Sequence, residues 1–199
     1  MKKPISYILL TNYVSENRLE KYLILASNDK ELAVKLYLEN IDTSKDLYGY
    51  LQWLEVGLRN AMNKALIGRY GPDWLDNPTP LKLQSYAIDR IQAARDQLAE
   101  EGKSADNPHL IAAMNFVFWV CLLDGQHDEL WRRCLVNAFS HRPRDLKRTT
   151  VHGMVNQARK LRNRVAHYEP ILHLKPEKQI DEMLKIISWI NPQVAAALK

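Results

Sequence analysis

Cysteine is nearly absent. The 199 residues include only Cys121 and Cys134, too few for a disulfide framework or a zinc knuckle, and a reducing cytosol is the compartment this implies. Glycine is scarce too, seven residues against nine prolines, which leaves little material for the tight turns of an all-β fold. Long apolar runs are missing: the most apolar stretch, Leu110 to Leu123, is 14 residues long and contains Asn115, whereas a membrane span needs about 20. Ile5 to Leu10 is short and breaks at Thr11-Asn12, so no signal peptide is expected and a cytoplasmic location is.

Several chemical constellations are absent as well. No glycine pair has the spacing of a phosphate loop, and neither His-Glu-x-x-His nor Cys-x-x-Cys occurs. His127-Asp128 alone is weak metal evidence, so the expectation is no metal and no cofactor. Cys121 reads as an inert core thiol, and Cys134 beside Arg133 has no neighbouring base. What is present is ordinary globular composition, 46% hydrophobic and 26% charged, at a length that suits a single domain over residues 1–199.

Charge is unevenly placed. Between His141 and Arg164 lie eight of the 28 basic residues (Arg142, Arg144, Lys147, Arg148, Arg159, Lys160, Arg162 and Arg164) and one of the 23 acids, Asp145. That segment carries +7 against a net +5, so the remainder is mildly acidic at −2. A zone of this kind is the footprint expected for a polyanion such as RNA, although a solvated helix face gives the same pattern.

Periodicity predicts an all-α, single-domain helical bundle of about seven to eight helices. Ser15 is expected to cap a helix to about Leu25, and Asn28 with Glu31 to open another to about Glu39. A third is expected from Ser44 to Gly68, burying Leu47, Leu51, Leu54, Leu58 and Met62. Others start at Thr79-Pro80, burying Leu83, Ala87, Ile91, Ala94 and Leu98, and at Asn107-Pro108, running to Asp124-Gly125. Shorter or later ones cover Asp128 to Phe139, the stretch after Pro143 with Val151, Met154, Ala158, Leu161 and Val165 on one face, and Pro176 to Ile190.

The chemistry-bearing stretch is Ala158 to Pro170, where Arg162 precedes His167 inside the basic zone. Histidine titrates near neutrality and moves protons, and the planar fork of arginine suits phosphate oxygens. Together they suffice to drive attack of an RNA 2′-hydroxyl on the adjacent phosphate. Spacing alone says little, since a sequence with this many Arg and His contains roughly 0.4 such pairs by chance. On an ideal helix the two residues lie about 140° apart. They meet if the last turn is released before Pro170, or if two copies share a cleft. Asn163 either orients the imidazole or binds a phosphate. Glu55 and Arg59 are spaced for a helix ion pair and are candidate supporting residues.

Leu161-Arg-Asn-Arg-Val-Ala-His-Tyr-Glu-Pro-Ile171 resembles the signature of Abi-like (abortive infection) proteins in the all-helical HEPN superfamily. Ser15-Glu-Asn-Arg18 with Tyr22, Ala33 to Asn40, Trp53-Leu-Glu-Val-Gly-Leu-Arg-Asn60 and Tyr70-Gly-Pro-Asp-Trp74 extend the likeness over most of the chain. The resemblance implies a HEPN-like fold, metal-independent endoribonuclease activity in phage defence or toxin–antitoxin systems, and a homodimer. It assigns the catalytic motif to Arg162, Asn163 and His167 and leaves any antitoxin or regulatory partner unnamed. In some superfamily toxins a tyrosine two after the histidine is modified; here that position is Glu169. The alternative function is a non-catalytic RNA-binding or protein-interaction module on the same helices.

Overall fold

The computed structural model describes residues 5–199. Among them every regular element is helical and there is no strand, so the protein is all-α. In chain order the helices are α1 (Tyr7–Val14), α2 (Glu16–Leu25), α3 (Lys30–Tyr70), α4 (Ser85–Glu100) and α5 (Asn107–Ala113). They continue with α6 (Phe116–Cys121), α7 (Asp128–Arg133), α8 (Arg148–Ala166), α9 (Pro176–Ile190) and α10 (Pro192–Ala197). No described helix is long and apolar enough to cross a membrane.

The chain divides into two compact units interleaved in sequence. The first comprises the chain up to Gly49 with Leu161–Ile180, and the second comprises Tyr50–Lys160 with Asp181–Lys199. In the first unit, α1 and α2 pack together and bury Leu10, Leu19, Tyr22 and Ala26 with Ala33 and Val34 of α3. Tyr7, Val14, Leu23, Leu36 and Tyr37 close over this cluster. In the second unit the α3 stripe Leu51, Leu54, Leu58, Met62 and Leu66 is fully buried. There α4 packs on α5 and α6, and Trp74, Phe118, Trp119 and Phe139 are almost wholly enclosed.

Several expected boundaries differ for identifiable reasons. Ser15 does not cap α2: its φ is 83° and its side chain makes no cap bond, because it ends α1, a helix capped by the Ser6 hydroxyl, which accepts from the Leu9 amide. Asp29, not Asn28, opens α3, accepting from the Glu31 and Leu32 amides, while Asn28 adopts φ 68°. The two helices expected over Asn28–Gly68 form one of 41 residues. Ser44 does not interrupt it: its hydroxyl donates back to the Asn40 carbonyl at 2.6 Å, the i−4 bond by which a serine is accommodated inside a helix.

Thr79-Pro80 makes only a 3₁₀ turn, closed by Lys82 at φ 52°, and α4 starts at Ser85. The helix expected from Asn107 to Asp124 is split: Met114 is extended and the Asn115 side chain accepts from the Phe118 amide, capping α6. A capping residue inside an apolar run offers the backbone that alternative. The stretch from Asp128 to Phe139 is α7 followed by a 3₁₀ turn from Leu135.

Candidate functional site

Leu161 and Val165, one helical turn apart, are buried and fix the inward face of the end of α8. Arg162 and Asn163 are consequently half-buried, and Arg164 is exposed. Helical bonding persists to the His167 amide, which donates to the Asn163 carbonyl at 2.9 Å. The next two amides close a Schellman turn, Tyr168 N–H donating to Val165 O at 3.0 Å and Glu169 N–H to Arg164 O at 2.9 Å. Such a turn needs a left-handed residue, usually glycine. Here it is Tyr168, at φ 58°, which costs about 1–2 kcal/mol for a residue with a Cβ.

Two side chains from the same unit secure that turn. The Arg18 guanidinium donates from Nη2 to the Tyr168 carbonyl at 2.7 Å and to the His167 carbonyl at 3.4 Å. It also sits 5.9 Å from the Tyr168 ring centroid. A cation there meets the negative end of the α8 dipole. Asn40, 4% exposed, donates from Nδ2 to the Glu169 carbonyl at 3.3 Å and accepts from the Ile171 amide at 2.8 Å. Removing it would leave buried backbone groups unmatched. The result is an exposed His167 imidazole on a closely held backbone.

The ladder through His167 settles one question about the pair. The chain does not release its last turn before the histidine; the departure from helix comes one residue later, at Tyr168. Arg162 and His167 therefore keep the helical offset of about 140°. Asn163 lies beside Arg162, and its carbonyl holds the His167 amide.

The supporting candidates Glu55 and Arg59 belong to the second unit, on α3, and are half-buried. The Arg59 Nε is buried with no hydrogen-bond partner among the described residues. An orphaned guanidinium donor is unusual in a folded protein.

The basic zone is chemically uneven. Arg148 is largely enclosed, 13% exposed in its side chain, and donates from Nε to Asp128 at 3.0 Å and from Nη1 to the Leu123 carbonyl at 2.7 Å. It secures the α6–α7 connection. Arg142 donates to the Phe139 carbonyl and Arg159 to Asn156. Arg144, Lys147 and Lys160 are exposed. Arg164, in the first unit, lies 3.7 Å from the Glu169 carboxylate, a half-exposed pairing of little energetic weight.

One group has the composition of a metal site. The ligand atoms of Cys121, Asp124 and His127, in the second unit, lie within 4.8 Å of one another. Both ring nitrogens of the buried His127 are nevertheless engaged: Nδ1 donates to the Cys121 carbonyl and Asp124 Oδ1, each at 3.0 Å, and Nε2 accepts from the Gln84 amide at 3.4 Å. Burial and the Asp124 carboxylate push the Cys121 thiol up to about 11, so it is not poised as a thiolate ligand. These residues form a hydrogen-bonded knot that caps the turn after α6, with Asp124 also accepting from Gln126 N–H.

Comparison with known proteins gives no relative. The chain matches no family model, no curated protein and no solved structure.

Arg18 and Asn40 are the residues whose importance sequence reasoning passed over. Both fall in segments that carry the family resemblance, but neither is assigned a role by it. A signal was available for Asn40: it occupies a core position at heptad spacing between Ala33 and Leu47, both fully buried. A polar side chain there needs a partner.

Proposed function

We propose that this chain is a metal-independent endoribonuclease of the abortive-infection or toxin type, acting in the cytoplasm as a homodimer. What supports the reading best is the end of α8: His167 presents an exposed imidazole on a backbone clamped by Arg18 and Asn40, with Arg162 and Asn163 one turn earlier. In the proposed reaction the 2′-oxygen bonds to phosphorus as the bond from phosphorus to the 5′-oxygen breaks. His167 removes the 2′-hydroxyl proton or supplies one to the leaving oxygen. The Arg162 fork balances charge on the phosphorane, and Asn163 assists by orienting the ring or holding a phosphate oxygen. The 140° offset within one helix favours a cleft in which Arg162 of one copy and His167 of another converge, as a two-fold contact allows.

The test is a cleavage assay with purified protein. Cleavage is expected to persist in EDTA, to leave a 2′,3′-cyclic phosphate, and to stop when the scissile nucleotide carries hydrogen in place of its 2′-hydroxyl. His167→Gln should lower the rate roughly 10²- to 10⁴-fold with RNA binding retained, and Arg162→Lys should lose activity although charge is kept. Binding of RNA without cleavage by the unaltered protein would return the chain to the alternative, a non-catalytic module.

A further inference from the structure

Four of the nine tyrosines, Tyr22, Tyr37, Tyr48 and Tyr168, line a single cleft of about 890 Å³ within the first unit. Tyr22 and Tyr37 meet edge to face with centroids 5.2 Å apart. Tyr22 is 1% exposed, whereas Tyr48 and Tyr168 stand at the rim at 53% and 73%. Burial with the neighbouring Tyr37 pushes the Tyr22 hydroxyl's ionisation up to about 12, so it stays a neutral donor and acceptor.

The charge of the lining is one-sided. Arg18 and Lys45 contribute cations and no carboxylate is among the lining residues. Lys45 pairs with Asp42, in an exposed contact at 2.8 Å that gives way easily. Another cleft of the same unit, about 620 Å³, has Glu39, Asp46 and Glu177 in its wall and no aromatic ring. Flat rings with cations and no acid are the chemistry that holds unpaired bases on an anionic strand.

Position links this cleft to α8. Val165, Ala166 and Tyr168 line it, so the residues on either side of His167 in sequence are part of its wall. The left-handed turn at Tyr168, held by Arg18, is what directs that ring to the rim. We infer that this cleft receives an unpaired RNA base, stacked against Tyr48 and Tyr168, with the strand's phosphates near Arg18 and Lys45. The inference rests on RNA being the ligand of the Arg162 and His167 site and specifies single-stranded RNA as its form.

The experiment uses the full chain carrying His167→Gln and reads fluorescence anisotropy of a labelled 12-nucleotide single-stranded RNA. A matched strand with abasic nucleotides and a nucleoside monophosphate serve as the other probes. The base-bearing strand is expected to bind more tightly than the abasic one. Tyr48→Ala should weaken it roughly 5- to 150-fold, the range of one base–aromatic stack, and Tyr48→Phe should preserve it. The abasic strand should be insensitive to Tyr48→Ala. Equal binding of the two strands overturns the inference. So does a Tyr48→Ala protein that binds normally but halves its mass by light scattering, which assigns the cleft to a second copy. A monophosphate that binds as tightly as the strand assigns it to a free nucleotide and overturns it too. The underlying reading fails separately: base-dependent binding by a protein that never cuts RNA keeps the cleft and removes the ribonuclease, and cleavage without base dependence does the reverse.

Discussion

The two units stabilise themselves differently. The second encloses its bulk: Trp74, Phe118, Trp119 and Phe139 are each at most 1% exposed, Trp131 packs 5.7 Å from Phe139, and the Trp74 indole donates to Asn63 at 2.9 Å. In the first unit large apolar side chains remain in solvent, including Ile8 at 71%, Tyr13 at 87% and Ile24 at 68%. Its smaller apolar cluster around Leu19 and Tyr22 is supplemented by a few polar ties of long sequence separation, from Arg18 and Asn40 to the turn after α8. The lesson is one of division. The residues proposed for chemistry sit where backbone position is set by hydrogen bonds, and the larger unit carries the heavier apolar core.

The largest test of that contrast is Phe139→Ala. Emptying a fully enclosed site should cost about 3–5 kcal/mol, read as the shift in urea midpoint. A loss below 1 kcal/mol would mean the second unit is not held by its aromatic core. Next, Asn40→Ala should cost about 1–3 kcal/mol by orphaning buried backbone groups. Hydrogen exchange should quicken at the Ile171 amide while the amides of α4 keep their protection. Uniform loss of protection over both units would erase the distinction.

A gain is expected third. Tyr168→Gly relieves the left-handed strain and should stabilise by about 1 kcal/mol while weakening binding of single-stranded RNA, since the rim ring is gone. Stability and binding that fall together would show that the turn is unstrained. Smallest is the pair within the basic zone. Arg144→Ala should move stability by less than about 0.5 kcal/mol while making RNA binding less salt-dependent. Arg148→Ala, which strips Asp128 and the Leu123 carbonyl of their partner, should exceed it. Equal effects would mean that the Asp128 and Leu123 bonds of Arg148 contribute nothing.

Much of the fold is legible in the sequence because apolar spacing reports the buried face directly. Pro176–Ile190 is α9 to the residue, and Ala87, Ile91, Ala94 and Leu98 are the inward face of α4 as their spacing indicates. What spacing does not carry is competition among polar side chains. Whether Ser44 caps a new helix or bonds back to Asn40, and whether Asn115 fills a helix or starts one, depends on local alternatives of similar energy. The site divides the same way. The run from Arg162 to His167 and a helix end near Pro170 are legible, and α8 does stop at Ala166. The Arg18 and Asn40 contacts span 129 to 150 residues of sequence, and no local pattern encodes them. Nor does composition distinguish Arg148, locked into the second unit, from the exposed Arg144 beside it.

The long reach of Asn40 also sets a schedule for synthesis. Its acceptor and donor partners, Glu169 and Ile171, follow it by 129 and 131 residues, and ribosomes add about 5–20 residues per second. The first helices of the chain therefore wait on the order of 6 to 25 seconds for the strand of sequence that completes their unit. During that interval the first unit lacks Leu161–Ile180, while the second unit emerges up to Lys160 and is itself completed only by Asp181–Lys199. Closing so large a loop late adds little equilibrium cost, because loop entropy grows only with the logarithm of length, but it places the turn after α8 among the last features to form. A chain truncated by stalled translation before Leu161 would then carry most of the heavier core and none of the motif.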